Sequence, residues 1–209
     1  MPLEDDGSTR NKLLVAAIRI FAQNGFKETT VRQICKQAGS SNINSINYYF
    51  GGKEALYREI LELVFREYDL RKDPDFASKT PEERLRIFIE THCEMLYREG
   101  EFASDLTAIF MAEMLKPSPF LTELVDRYNR PRVKQHLAMI RAIIGEDKPE
   151  ATVRSCLVSI AGQILYYSFA WPVYARLFPG DKTVPDHQKL AAHIYRFSMG
   201  GLAAVKEKK

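Results

Sequence analysis

Between Ser41 and Lys53 the chain reads Ser-Asn-Ile-Asn-Ser-Ile-Asn-Tyr-Tyr-Phe-Gly-Gly-Lys, a run rich in amide and hydroxyl side chains with one formal charge. As a short helix over about Ile43 to Tyr49, it turns by about 100° per residue. That puts Ile43, Ile46 and Phe50 within about 60° of one another, as a buried edge. Asn44, Ser45 and Tyr48 fall on the opposite face, with Ser41 just before them. An outward face of Asn, Ser and Tyr can hydrogen-bond to base edges and touch phosphates. Lys53 adds a cation beside the N-terminal amides of the next helix, and both favour phosphate.

Such a helix needs elements to hold it. Val31, Ile34, Cys35 and Ala38 share one face of a helix capped by Thr29 or Thr30 and ended by Gly39. Two short helices joined by a polar turn have the proportions of a helix-turn-helix. They have too little apolar surface to stand alone. A first helix, capped by Ser8 and running to about Asn24, supplies Leu13, Ala17, Ile20 and Phe21, with Gly25 closing it. A fourth helix starts at Lys53, carries Leu56, Ile60, Leu63, Val64 and Tyr68 inward, and stops near Asp73-Pro74.

Charge follows the same division. The 209-residue chain has a net charge of only +3, but Ser8 to Arg58 hold eight Lys/Arg against two Asp/Glu. The first seven residues are acidic, and Glu59 to Lys209 carry 22 charges of each sign. All the excess positive charge lies in one block, as expected for a head that meets a polyanion and a neutral body with another task.

The residues from Leu13 to Ile34 (LLVAAIRIFAQNGFKETTVRQI), then Ala38-Gly39, then Ile46 to Leu56 (INYYFGGKEAL) resemble the TetR family of transcriptional regulators. The resemblance implies an all-α homodimer with an N-terminal three-helix DNA-binding domain and a C-terminal bundle that binds an effector and dimerises. It implies that Thr30 caps the second helix and touches a phosphate, and that Arg32 reaches phosphate or a base. Ser45, Asn47, Tyr48 and Tyr49 fall on contact positions of the recognition helix, and Lys53 on the phosphate-clamping lysine. Two departures stand out. The turn after Gly39 is one residue longer than the family pattern, which leaves the base contacts of Asn42 and Asn44 open by one position. Tyr49 stands where the family commonly has His. The Ile-Asn-Tyr-x-Phe-Gly-Gly-Lys ending, with Glu113, Pro117 and Ser159 to Gln163 downstream, also resembles one branch with its own C-terminal domain type.

The expected organisation is an acidic tail over 1–7, the DNA-binding domain over 8–54 and the effector and dimerisation domain over 55–205, about nine helices in all. In the body, Thr80-Pro81-Glu82-Glu83 signals a helix start with a capping box, and that helix runs to about Arg98. A second runs from Glu101 to Lys116. Ser118-Pro119 opens a longer segment that Pro131 kinks or splits before Gly145. Ser155 to Ala175 carries no formal charge over 21 residues, long enough to cross a bilayer. Its Ser155, Ser159, Gln163, Ser168 and Pro172 argue against a span, and burial against a partner subunit is the preferred reading. Trp171-Pro172 is expected to stop that helix. A last helix covers about Asp186 to Leu202.

The resemblance implies an apolar cavity in the body with a few polar groups, and Phe88, His92, Phe110, Glu113, Met114, Gln163 and Tyr166 are its candidates. It also implies a two-fold interface from the last two helices. Ser155, Ser159, Ala161, Gly162, Ala191, Ala192, Ser198 and Gly200 would let helices approach closely there. Cys35, Cys93 and Cys156 are widely spaced and read as reduced thiols of a cytoplasmic protein. The acidic start, Met-Pro-Leu-Glu-Asp-Asp-Gly, is unlike a secretory signal.

Enzymatic chemistry finds no support in the motifs. Gly-x-Ser-x-Gly and His-Glu-x-x-His are absent, and Gly51-Gly52-Lys53-Glu54 lacks the flanking residues of a phosphate-binding loop. The four histidines show no ligand spacing with one another or with the cysteines, so no metal and no cofactor is expected. The reading is a dimeric, sequence-specific regulator, most simply a repressor that a small, largely apolar effector releases from double-stranded DNA. The competing reading is a helical small-molecule-binding protein that does not regulate DNA.

Overall fold

A computed structural model describes residues 7–67, 76–97, 100–180 and 186–207. The expectations for the tail before Gly7, Tyr68, the Asp73-Pro74 stop and Arg98 fall outside those residues. The protein is all-α, with no strand among the described residues. In chain order the helices are α1 (Thr9–Glu28), α2 (Val31–Gln37), α3 (Ser45–Phe50), α4 (Lys53–Glu67) and α5 (Pro81–Tyr97). There follow α6 (Glu101–Leu115), α7 (Leu121–Leu124), α8 (Arg130–Ile144), α9 (Glu150–Leu177) and α10 (His187–Glu207).

Several boundaries are set by local chemistry. The Ser8 side chain accepts from the Asn11 amide at 3.2 Å and starts α1. Gly25 breaks that helix at φ 73°, a left-handed conformation glycine adopts without a Cβ clash. The capping box at Thr80 forms as read: the Glu83 amide donates to Thr80 Oγ1 at 3.2 Å, and the Thr80 amide donates to Glu83 Oε2 at 2.8 Å. Glu83 is accordingly held below its usual carboxylate range, first by the Thr80 backbone bond.

One body segment breaks at its proline as the sequence reading expects, and another departs from that reading. The segment after Pro119 splits one residue before Pro131: α7 is a single turn, Val125–Asn129 winds as a π turn, and α8 starts at Arg130. Pro131 has no N–H to donate to the preceding turn, and the π turn just before it is where the regular α-helical ladder is interrupted. Pro172, in contrast, does not stop α9, which continues to Leu177. Proline removes one hydrogen bond, and the surrounding turns carry the helix through; Arg176 Nη1 bonds the Pro172 carbonyl.

Packing groups the chain into two units, Met1–Glu67 with Glu99–Asn129, and Tyr68–Arg98 with Arg130–Lys209. In the first, α1 packs on α2, α4 and α6 around Leu13, Leu14, Ile18, Phe21, Ile34, Ile46, Leu56 and Ile60, all at most 2% exposed. Each such side chain contributes about 1.5–3 kcal/mol relative to exposure. So α4 and the α6–α7 segment pack with the N-terminal helices, beyond the boundary read at residue 54. In the second unit, α5 packs on α8, α9 and α10 around Leu85, Ile89, Ile140, Ile144, Val153, Leu190 and Ile194.

Candidate nucleic-acid interface

The geometry of α2, its turn and α3 follows from a few local bonds. Thr30 and Gln33 close a reciprocal capping box: Gln33 N donates to Thr30 Oγ1 at 3.3 Å, and Thr30 N donates to Gln33 Oε1 at 2.8 Å. Thr30 therefore caps α2 while remaining exposed, and Arg32, the second residue of α2, is exposed as well. Gly39, at φ 69°, ends the helix.

The long turn is held by Asn42. Its Oδ1 accepts from the Asn44 amide at 2.9 Å, and its carbonyl accepts from the Ser45 amide at 3.1 Å. The thiol of Cys35 donates to the same carbonyl at 3.7 Å, and burial raises that thiol's pKa. This Asx turn takes up the extra residue. It also delays the start of the helix to Ser45, two residues later than expected.

That delay changes the faces. Ser45 is 6% exposed and its hydroxyl lies 3.4 Å from that of Ser40, so the outward position expected for its side chain is not found. Ile43 was expected on the buried edge; instead it sits in the turn and is 52% exposed. Asn42, Asn44, Asn47, Tyr48 and Tyr49 are all exposed, Tyr48 most of all at 82%. The two tyrosine rings meet edge-on at 4.8 Å, which fixes them as one outward block. Ile46 is fully buried and anchors α3 from below.

Residues outside the motif position it. Arg10 of α1 places its guanidinium over the Phe50 ring at 4.7 Å, and its Nη2 reaches both oxygens of Glu59 in α4, at 2.7 and 2.8 Å. Lys53 is part-buried: its ammonium lies 4.7 Å over the Phe26 ring and donates to the Lys27 carbonyl at 3.3 Å. Two of its three protons remain to be offered. Neither Arg10 nor Phe26 carries a local signal that marks such a role; long-range packing assigns it.

The effector residues read from the sequence are spread over both units. In the first, Glu113 is 2% exposed, Phe110 lies 6.3 Å from Phe65, and Met114 is 43% exposed. In the second, buried Phe88 packs against His92, tilted at 4.3 Å, and against His136, edge-on at 4.6 Å. Both imidazoles are lowered to about 4, chiefly by burial, with the Arg132 charge adding to the effect. Gln163 donates to Ser198 Oγ at 3.4 Å, a bond between α9 and α10, while Tyr166 is 62% exposed. Tyr166 therefore lines no interior, because helical spacing assigned a face without saying what covers it. Cys35 and Cys93 are buried free thiols and Cys156 is half-buried.

Comparison with known proteins matches two family models. Residues 13–60 match "Bacterial regulatory proteins, tetR family", and residues 81–202 match "HTH-type transcriptional dual regulator CecR, C-terminal domain". The chain belongs to the TetR family. Among curated relatives, it is 34% identical over 101 residues to the HTH-type transcriptional repressor NicS of Pseudomonas putida, a match spanning 47% of this chain and 46% of that one. It is 27% identical over 131 residues to the probable HTH-type transcriptional regulator YttP of Bacillus subtilis, spanning 56% and 63%. The match thus spans between about half and under two thirds of these relatives' length. Among solved structures, the regulator FadR of Bacillus subtilis, in complex with stearoyl-CoA, aligns at TM-score 0.65 and 21% identity over 93% of this chain and 98% of that one. At that identity the likeness shows the fold alone. The fold covers the family's head and its C-terminal domain.

Proposed function

We propose that the protein is a dimeric, sequence-specific DNA-binding transcriptional regulator whose head reads the major groove through α3. The observation that carries this is the outward block of Asn44, Asn47, Tyr48 and Tyr49, presented by a helix whose other face is locked by Ile46. Thr30, Arg32 and Lys53 flank it as phosphate contacts, within the segment that holds the chain's excess positive charge.

The dimer is supported by an uncovered apolar stripe. Val158, Tyr166, Phe169 and Val173 share one face of α9 and are each more than 60% exposed, as is Phe197 on α10. Gly162 falls within the same stripe and lets a partner helix approach. By length and composition α9 could cross a membrane. A second copy covering the stripe explains the apolar face in a cytoplasmic protein. Repression is the role of the similar regulator NicS, and a largely apolar effector is in line with the stearoyl-CoA held by FadR. Effector binding would respace the two heads so that half-sites about 34–36 Å apart no longer fit.

The test is selection of bound fragments from genomic DNA, followed by titration on the selected site. Affinity should fall by roughly 10³–10⁵ between 50 and 200 mM salt if about six to ten phosphates are neutralised. Tyr48→Ala and Lys53→Ala should each weaken binding while the fold is kept. Flat salt dependence, or full binding by both variants, would refute the interface. A chain that selects no fragment but binds small molecules would favour the competing non-regulatory reading.

A further inference from the structure

Within the first unit a cavity of about 690 Å³ lies between the Gly25 break of α1, Tyr57 of α4 and the end of α6. Its apolar wall comes from Phe26, Tyr57, Ala112, Leu115, Pro117 and Pro119. Its buried polar group is Glu113, 2% exposed. Glu113 Oε1 accepts from the Tyr57 hydroxyl at 2.7 Å, and Oε2 accepts from the Ser118 amide at 3.1 Å and its hydroxyl at 2.9 Å. All three donors are neutral, and no ion pair joins Glu113 to a cation among the described residues. A carboxylate offers about four acceptor directions, so one remains open on Oε1. Tyr57 feels the acid: burial and the bond to Glu113 raise its hydroxyl above the usual phenol range.

Burying a carboxylate without a counter-ion costs several kcal/mol, a cost that hydrogen bonds offset in part and that a joining cation offsets further. The lysines that line the cavity, Lys27 and Lys116, are exposed and screened by water, so they weigh less on an occupant than the buried acid does.

We propose that this cavity binds a small arylalkylammonium or alkylammonium compound, its nitrogen donating to Glu113 and its apolar body packed between Phe26, Tyr57 and the proline-rich loop. Phe26 stacks on Tyr57 at 4.7 Å and carries the Lys53 ammonium on its ring. An occupant therefore touches the residues that hold Lys53, and its binding bears on the phosphate contact directly. Binding itself does not depend on the proposed regulatory function; only this consequence for DNA rests on it.

Three probes of one shape decide the matter: benzylamine, benzyl alcohol and benzoate, each titrated calorimetrically into the full chain. The cation should bind saturably and about tenfold more tightly than the alcohol, the difference between a charge-assisted and a neutral hydrogen bond. Benzoate should bind most weakly. Glu113→Gln should erase the preference for the amine, with thermal unfolding used to check that the fold is kept. Ala112→Trp, at an exposed position of the wall, should block all three probes while leaving Glu113 and its partners in place. Absence of saturable benzylamine binding, equal affinity for amine and alcohol, or undiminished binding by Ala112→Trp would overturn the proposal. Benzylamine that binds a chain unable to bind any DNA fragment would uphold the site and sink the regulatory reading instead.

Discussion

Ile43 gives the sharpest test of how this head reads sequence. It lies in the Asx turn immediately before α3, and about half of its side chain is open. The base edges of the major groove offer one apolar group, the thymine methyl. If α3 enters that groove, Ile43 should cover such a methyl. Removing the methyl by replacing one symmetric pair of thymines with deoxyuridine forfeits about one buried carbon per half-site. At ~0.8 kcal/mol each, the loss is about fourfold per head and about fifteenfold for a dimer. The assay is equilibrium titration of the selected operator and its single-position deoxyuridine series, at one fixed salt concentration. The wild-type chain should show this loss at one symmetric position. Ile43→Ala should bind the unmodified operator with a comparable deficit and be indifferent to deoxyuridine there. An exposed side chain contributes little to folding, so the variant's stability should stay within about 0.5 kcal/mol of wild type. A wild-type chain indifferent to every replacement, or an alanine variant as sensitive as wild type, would refute the reasoning.

Three further outcomes are expected. Tyr57→Phe removes one donor from a buried carboxyl group and should cost about 1.5–3 kcal/mol in denaturant unfolding; an unchanged midpoint would show that the bond to Glu113 contributes nothing. His92 and His136 have folded pKa values lowered to about 4 against an ordinary 6.5, so their contribution to stability is complete above about pH 6.5 and is lost as pH falls through 4. The unfolding midpoint should accordingly drop between pH 7 and pH 5, and His136→Phe, apolar beside Phe88, should flatten that slope; an equal slope in both proteins would contradict it. Phe197→Glu, on the exposed stripe of α10, should convert the dimer to a species of the 24.0 kDa chain mass in light scattering, and a persistent dimer would place the interface elsewhere.

What the sequence determined by itself is local. Helix starts at Ser8, Thr30 and Thr80 are legible because a cap is a contract between residues three apart, and the stop at Gly39 because few residues tolerate its left-handed backbone. The all-α class and the basic head are legible for the same reason: periodicity and charge are properties of the chain before it folds. Where a short helix begins decides which residues its periodicity governs. Asn42 shifted that start by two residues, turning Ser45 inward and Ile43 outward, and spacing alone could not register a turn held by side-chain bonds. Pro172 inside α9 is a similar case, since the rest of the helix outweighs the one bond that proline removes.

Tertiary structure decided what meets what. Tyr57 and Glu113 are 56 residues apart, and Arg10 and Glu59 are 49 apart; no periodicity links either pair. Glu113 was legible as an acid among apolar residues, but its donors and the cavity beside it exist only once α4 and α6 pack. The exposed stripe of α9 shows the same limit from the other side. Its composition announced that something must cover it, while only the packing of Val153, Leu157, Ile160 and Ile164 toward the core showed which face was left for a partner. Local bonds can be read from neighbours in sequence; burial depends on the whole fold, because it is the other helices that remove the water.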